Sequence, residues 1–517
     1  MSHQAATLAS IATTDWRTLT EQALTRVYQV AKQTPVTEAT SLGSKLGARV
    51  LLKREDLQPV FSFKLRGAYN KIAALGRDDI GNGVVCSSAG NHAQGVAMAA
   101  GMRGVHAVIV MPVTTPAIKV DAVRAYGSEI ILHGDTYDAA QQHAMALAED
   151  RSLAVIHPFD DPLVIAGQST IGVEIDTQVA DDIDYLFIPI GGGGLAAGIA
   201  SVIKRQRPNT RIIGVEPDQS ASMRQALATG GPVTLERVGI FADGVAVRRV
   251  GDLTFALCQQ WLDDIVTVNT DQTCAAIRDI YEETRTVVEP AGALAVAGMK
   301  QYASINDIQG KTLVGINCGA NLNFDRLRHI AERAAFGEQR EALFAVRIEE
   351  TPGSFRRFCA ALGQQSVTEF NYRLDDSREA RIFVGVALQD GADQRQMLLT
   401  RIADAGYAVD DMSDNELAKL HVRHLVGGRS EGLGNERLYR FEFPERPGAL
   451  MDFLNAVGEQ WNISLFHYRN HGSDFGRVLA GIQVDAHQRD ELDSHLAGLH
   501  FDYWDETDNP AYRLFLT

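Results

Sequence analysis

Tyr185-Leu186-Phe187-Ile188-Pro189-Ile190-Gly191-Gly192-Gly193-Gly194-Leu195-Ala196-Ala197-Gly198-Ile199-Ala200 is the stretch on which the fold turns. An apolar run this continuous suits a strand buried on both faces, as in a parallel sheet. Four glycines follow it, and an apolar helix follows them. Glycines let backbone N–H groups converge, and a helix start adds positive dipole, so the junction reads as a cradle for a phosphate. It is not a Walker A loop, because no Gly-Lys-Ser/Thr follows, and it lacks the dinucleotide-fold glycine spacing. A flexible linker fits badly between a buried strand and an apolar helix.

Outward from this junction, residues 45–335 alternate short apolar strands with helical patterns. Val84-Val85-Cys86 leads to a helix over 91–100, Ala107-Val108-Ile109-Val110-Met111 to one over 118–126, and Glu129-Ile130-Ile131-Leu132 to one over 137–149. Val50-Leu51-Leu52-Lys53-Arg54 precedes them, Arg211-Ile212-Ile213-Gly214-Val215 follows the glycine loop, and Thr312-Leu313-Val314-Gly315-Ile316 closes the series. This order predicts α/β architecture with parallel sheets covered on both faces. Residues 16–33 are expected as an additional helix at the start.

Three further segments carry chemistry. Ser62-Phe63-Lys64-Leu65-Arg66-Gly67-Ala68 sets Lys64 among small and apolar neighbours just after a strand. An apolar setting favours the neutral amine, the form that attacks a carbonyl such as that of pyridoxal phosphate to make a Schiff base. A helix-start lysine with its head in water is the alternative. Ser87-Ser88-Ala89-Gly90-Asn91-His92 lies at a strand-to-helix junction, where Ser87, Ser88 and Asn91 suit a substrate carboxylate or simply cap the helix. Asn91 also suits a cofactor phenolate, and His92 reads as structural. Asn317-Cys318-Gly319-Ala320-Asn321 ends a late strand; Cys318 either faces a pyridine nitrogen or is a small buried hydrophobe. Glu216 with Asp218, and Glu289 beside Pro290, read as solvated or helix-capping carboxylates, with cation binding or helix positioning as the alternative. No Ser/His/Asp set, carboxylate pair or metal-ligand cluster stands out, so no metal is expected.

Composition narrows the class. A chain of 517 residues exceeds one ordinary core, and 45% hydrophobic with 22% charged residues is globular. A net charge of −16 with interspersed basic residues argues against a nucleic-acid surface. The five cysteines lack zinc-site spacing and suit reduced thiols in a cytoplasmic compartment. Neither a signal-peptide pattern nor a bilayer-length apolar run is present, so no membrane association is expected.

After about residue 340 the grammar changes. Thr351-Pro352-Gly353-Ser354-Phe355 and the later Arg446-Pro447-Gly448-Ala449-Leu450 match, as do Phe370-Asn371-Tyr372-Arg373 and Phe466-His467-Tyr468-Arg469. Phe358 with Phe453 and Gly363 with Gly458 keep the register. A period of about 95 residues is a duplicated domain rather than a solenoid. Each copy reads as a small α+β unit of ferredoxin-like character, with 427–434 as the linker between them.

Taken in order, residues 62–68, 87–95, 191–195, Val288-Glu289-Pro290-Ala291-Gly292-Ala293, Gly319-Ala320-Asn321 and the two repeats resemble the fold-type-II pyridoxal-phosphate enzymes, and among them the biosynthetic threonine deaminases. The resemblance covers nearly the whole chain. It implies a two-subdomain parallel-sheet catalytic domain over 1–338 and two ACT-like regulatory subdomains over 339–426 and 435–517. It implies that Lys64 holds the cofactor and takes the Cα proton, that Asn91 contacts the pyridoxal oxygen, and that Gly191, Gly192, Gly193, Gly194 and Leu195 hold the phosphate. Cys318 stands where many relatives carry serine at the pyridine nitrogen. The implied reaction converts L-threonine, and also L-serine, to a 2-oxo acid and ammonia, with the cofactor phosphate as proton donor to the departing hydroxyl. It further implies the first committed step of isoleucine biosynthesis, inhibition by isoleucine, activation by valine and a homotetramer. Tyr372 and Tyr468 mark equivalent places in the repeats and are the candidate effector residues. Rival readings are a degradative serine/threonine dehydratase, a serine racemase, or a non-catalytic amino-acid sensor; the duplicated tail opposes the first two, and the intact lysine and glycine loop oppose the last.

Overall fold

Strands rich in valine, isoleucine and leucine can be buried on both faces only if each is joined to the next through a covering helix. The computed structural model describes residues 14–509 except 77, 116, 350, 352, 374–378, 416–417, 420–421, 425–434, 445–448, 458–460, 470–474 and 499–501. It divides into two units, Met1–Gly337 and Glu338–Thr517. The linker expected over 427–434 and the turn residues Pro352, Pro447 and Gly448 lie outside the described residues.

The first unit's strands are β1 (Val36–Glu38), β2 (Arg49–Arg54), β3 (Val84–Ser87), β4 (Ala107–Met111), β5 (Glu129–Leu132), β6 (Ala154–Val155), β7 (Tyr185–Pro189), β8 (Arg211–Pro217), β9 (Asp264–Val268) and β10 (Thr312–Asn317). One sheet, in the order β5-β4-β3-β6, is parallel throughout. The other, β1-β2-β10-β7-β8-β9, is parallel except for the antiparallel edge strand β1. The loops leaving the carboxyl ends of β3, β7 and β10 carry Ser87 to Asn91, residues 191–194 and residues 318–321, the places where open parallel sheets bind ligands.

The helix expected over 16–33 stops at Val27. Its start is fixed by Asp15, whose carboxylate accepts from Arg17 N and Thr18 N. Beyond Val27 the backbone leaves the helix for side-chain partners: Lys32 N donates to Gln58 Oε1 at 2.9 Å, and Thr34 O accepts from Lys53 Nζ at 2.6 Å.

That segment closes over a buried ionic cluster. Arg66 Nε and Nη2 donate to the Glu55 carboxylate at 2.8 Å, and Arg66 Nη1 donates to Glu174 Oε1 at 2.6 Å. Lys53 Nζ reaches Glu174 Oε2 at 2.5 Å. All four side chains are at most 4% exposed, so two cations and two carboxylates neutralise one another away from water. Arg66 lies two residues after Lys64 on the helix Lys64–Ala74, so this cluster anchors the element that presents Lys64.

The second unit repeats β-α-β-β-α-β twice. The first copy is β11 (Glu341–Glu349), helix Ser354–Leu362, β12 (Val367–Arg373), β13 (Glu379–Ala387), helix Gly391–Asp404 and β14 (Ala408–Asp411). The second is β15 (Glu436–Pro444), helix Ala449–Val457, β16 (Asn462–Arg469), β17 (Phe475–Gln483), helix Arg489–Ala497 and β18 (Asp502–Asp505). Both copies share one antiparallel sheet, β14-β11-β13-β12-β16-β17-β15-β18. They meet where β12 pairs with β16, with Phe370 opposite Tyr468, Asn371 opposite His467 and Tyr372 opposite Phe466. Exchanging the copies maps this pairing onto itself, so a local two-fold axis passes through the Asn371/His467 pair. The β-bulge between Val367 and Glu369 recurs between Ile463 and Leu465.

Among the described residues no helix is long and apolar enough to cross a membrane, and no group of three His, Cys, Asp or Glu is placed to hold a metal ion.

Candidate active site

Lys64 opens the helix Lys64–Ala74. The turn before it is laced to the end of β10: Phe63 N donates to Cys318 O at 3.2 Å, and Ala320 N donates to Phe61 O at 2.8 Å. Phe61 adopts φ 53°, a left-handed conformation that a phenylalanine rarely takes, so the turn is held by its neighbours. The side chain of Lys64 points inward, and Nζ donates to Pro158 O at 2.9 Å. Burial lowers its pKa from 10.5 to about 8, with Cys318 and Glu289 opposing. Lys64 is half-buried, with its amine bonded to the protein.

The glycine loop leaves β7 between two walls. A Cβ on Gly192 would lie 2.2 Å from the Phe159 ring, and Gly193 takes φ +94°. Only glycine satisfies both demands. Among the described residues, the N–H groups of Gly191, Gly192 and Gly193 donate to no backbone or side-chain acceptor. The loop is held from behind: Asp160 accepts from Asp252 N, Leu253 N and Thr254 N, and Thr254 Oγ1 donates to Gly192 O at 2.6 Å. Unpaired N–H groups at the start of helix Gly194–Gln206 fit an anion such as a phosphate. Leu195 is buried on that helix.

The junction after β3 runs close by. A Cβ on Gly95 would touch the Lys64 backbone at 3.2 Å, so the helix Asn91–Arg103 crosses directly over Lys64. Ser87 Oγ is buried with no hydrogen-bond partner, and it borders a cavity of about 30 Å³ shared with Tyr137, Gln141, His157 and Pro158. Ser88 Oγ accepts from Gly90 N at 3.2 Å. His92 is structural: its ring bonds Ile156 O at 2.8 Å, and burial brings its pKa down to about 3. His157 Nδ1 accepts from Asp160 N at 2.7 Å, so the neutral ring carries its proton on Nε2.

Cys318 is buried at the end of β10, and its Sγ donates to Ala291 O at 3.3 Å. Burial, reinforced by Glu289, pushes this thiol well above its ordinary pKa. Glu289 corrects one expectation. It is neither solvated nor a cap of its own helix; Oε1 accepts from Asn91 Nδ2 at 2.6 Å and Oε2 from Asn321 N at 3.1 Å. Glu216 does cap a helix, accepting from Met223 N and Arg224 N, while burial raises it to about 7. The structure thus brings Lys64, Ser87, Ser88, Asn91, the glycine loop and Cys318 to one cleft. It adds Pro158, Asp160, Thr254 and Glu289, which sequence reasoning did not place there.

Tyr372 and Tyr468 belong to the second unit. Both are buried in its aromatic core, where the Tyr372 ring lies 5.6 Å from that of Phe355.

Comparison with known proteins defines the class. A family model described as pyridoxal-phosphate dependent enzyme matches residues 27–319, which hold both parallel sheets, Lys64 and the glycine loop. The chain has the fold-type-II form of that class. A second model, the C-terminal regulatory domain of threonine dehydratase, matches twice, over 332–422 and 427–516. The biosynthetic L-threonine dehydratase IlvA of Escherichia coli is 53% identical over 490 residues, 95% of each chain. Its counterpart in Burkholderia multivorans is 53% identical over 95% of this chain and 97% of its own. The processed form of threonine deaminase isoform 2 from Solanum lycopersicum superposes with TM-score 0.61 and 49% identity, covering 62% of this chain and 88% of that one. The chain belongs to the biosynthetic threonine dehydratase family.

Proposed function

We propose that this chain deaminates L-threonine to 2-oxobutanoate and ammonia as the committing step of isoleucine synthesis, and that it also accepts L-serine. The observation that carries the reading is the partly buried Lys64 amine, bonded to Pro158 O and lowered to about 8, beside the glycine loop. Pyridoxal phosphate supplies, when bound, an electrophilic carbonyl and an electron sink conjugated to the substrate's Cα. Lys64 anchors it and, once its amine is free, takes the Cα proton at Nζ. The N–H groups of residues 191–195 hold the phosphate. Ser87, Ser88 and the helix start at Asn91 would receive the substrate carboxylate, and the remaining Nδ2 proton of Asn91 would serve the ring oxygen. Cys318 would meet the pyridine nitrogen. Its thiol proton is engaged with Ala291 O, and a neutral thiol cannot keep that nitrogen protonated as a carboxylate would.

Isoleucine inhibition, valine activation, a homotetrameric assembly and a cytoplasmic location complete the proposal. It takes residues 1–338 as catalytic, 339–426 and 435–517 as the two regulatory subdomains, and the surroundings of Tyr372 and Tyr468 as effector sites. The test is 2-oxo-acid release from threonine and from serine, each titrated with isoleucine and valine. Isoleucine is expected to lower the rate at subsaturating threonine and valine to raise it; no release from threonine would sink the reading. A chain ending at residue 338 is expected to keep the cofactor and lose the isoleucine response. Gly192→Ala is expected to weaken cofactor affinity by at least about tenfold, or about 1.4 kcal/mol, because the methyl displaces either the Phe159 ring or the loop. Equilibrium dialysis of the apoenzyme checks it.

A further inference from the structure

Glu289 is a buried carboxyl whose contacts are not those of a structural ion pair. It is 3% exposed, and its oxygens are met by two uncharged donors, Asn91 Nδ2 and Asn321 N. Asn321 Nδ2 closes the ring by donating to Asn91 Oδ1 at 2.7 Å. The Asn91 amide is therefore gripped at both ends, with its plane fixed and one Nδ2 proton left over. The carboxyl is also tightly caged: a Cβ on Gly319 would come 2.4 Å from Glu289 Oε1, and one on Gly244 would come within 3.5 Å of it.

The charged and titratable groups around it come from several elements. Lys64 on the helix Lys64–Ala74 and Cys318 at the end of β10 both feel its charge. Asp243 approaches from the loop between β8 and β9, itself paired with Lys119 at 2.5 Å and Arg326 at 3.8 Å. Burial and Asp243 raise Glu289 to about 7, against the opposing pull of Asn91, Lys119 and Asn321. Two donors and a cationic neighbour favour the anion; a dry cage and a second carboxylate favour the acid.

We propose that Glu289 is a positioning residue for this reaction, one that aims the Asn91 amide at the cofactor and adds a negative charge beside the Lys64 nitrogen. This rests on the reading of Lys64 as the cofactor's lysine. An ionised Glu289 stabilises the protonated nitrogen, and a neutral one releases it. A helix-starting carboxylate with no further task would cap its own helix; this one spends both oxygens across the cleft instead.

The test compares holoenzymes of wild type, Glu289→Gln, Glu289→Asp and Lys64→Ala by the pH midpoint of the visible cofactor band and by kcat and KM. Glu289→Gln removes the charge and sets an amide against donors. Its midpoint is expected to move down by about 1 pH unit, with kcat at least about tenfold lower and KM changed less than about threefold. Glu289→Asp keeps the charge but falls short of Asn91, so it should hold the midpoint and lower kcat. A wild-type midpoint in Glu289→Gln overturns the proposal. If that variant holds no cofactor, Glu289→Asp decides, and an unchanged kcat there overturns it equally. Lys64→Ala separates the two readings: if it keeps the band and turnover, the assignment of Lys64 fails, whatever Glu289 does.

Discussion

Lys64→Ala is expected to lower 2-oxobutanoate release from threonine by more than about 10⁴-fold, the scale of a lost covalent anchor combined with a lost general base. The structure explains why no neighbour substitutes. Among the groups that meet in the cleft, Asn91 is a neutral amide, Cys318 is held neutral by burial, His92 is committed to Ile156 O, and both Glu289 oxygens are engaged by Asn91 and Asn321. Lowering the amine to about 8 raises its neutral fraction at pH 8 from under about 1% to about half. The acid limb of the pH–rate profile is expected to follow that proton, with activity rising as pH climbs toward 8. Borohydride should fix the cofactor covalently to the chain in wild type and leave it removable from Lys64→Ala. Near-wild-type turnover in the variant would remove Lys64 from the chemistry altogether.

Arg66→Met is expected to cost about 3–5 kcal/mol of catalytic-unit stability, read as an earlier loss of the cofactor band in urea. Methionine fills much of the volume but leaves the Glu55 and Glu174 carboxylates with Lys53 as the one cation of the cluster, inside a region at most 4% exposed. Lost neutralisation there outweighs any gain in apolar packing, because an uncompensated buried charge is the costlier term. The pH dependence has a definite sign. Arg66 and Lys53 hold Glu55 below its ordinary pKa against the opposing effect of burial. Its contribution is therefore complete above about pH 4.3 and is lost as pH falls through the lowered folded value. The gap between wild type and variant should be full at pH 7 and shrink in acid. Equal urea midpoints at pH 7 would mean that the cluster relaxes or takes up water.

Legibility in the sequence followed locality. The strand, four glycines and helix from Tyr185 onward are contiguous, so period and composition sufficed, and the same holds for the junction after β3. The helices Pro162–Gln178 and Pro290–Ala303 were not legible by periodicity because both are buried nearly all round, which erases the amphipathic stripe. Glu289 was misjudged for a related reason. A glutamate before Pro290 has the local pattern of a helix start, and nothing nearby in the chain shows that its partner is Asn91, 198 positions away. Asp160 reaches the loop through Thr254, which bonds Gly192 62 positions back, a relay no local pattern shows.

The duplication shows where that boundary falls. Two copies of a Pro-Gly and Phe-x-Tyr-Arg pattern determined that a small α+β unit occurs twice, because each copy's period and turns are written within it. Their merger into one eight-stranded sheet through β12 and β16 is a matter of edge pairing, decided by which backbone N–H and C=O groups were left exposed once each copy had folded. The cleft divides in the same way. Sequence alone determined the lysine, the phosphate loop and the class of chemistry, since those depend on residue type beside the chain's own turn or helix start. Tertiary structure decided the basicity of Lys64, the aim of Asn91 and the fate of Glu289, because desolvation and hydrogen-bond partners arise only when distant segments exclude water together.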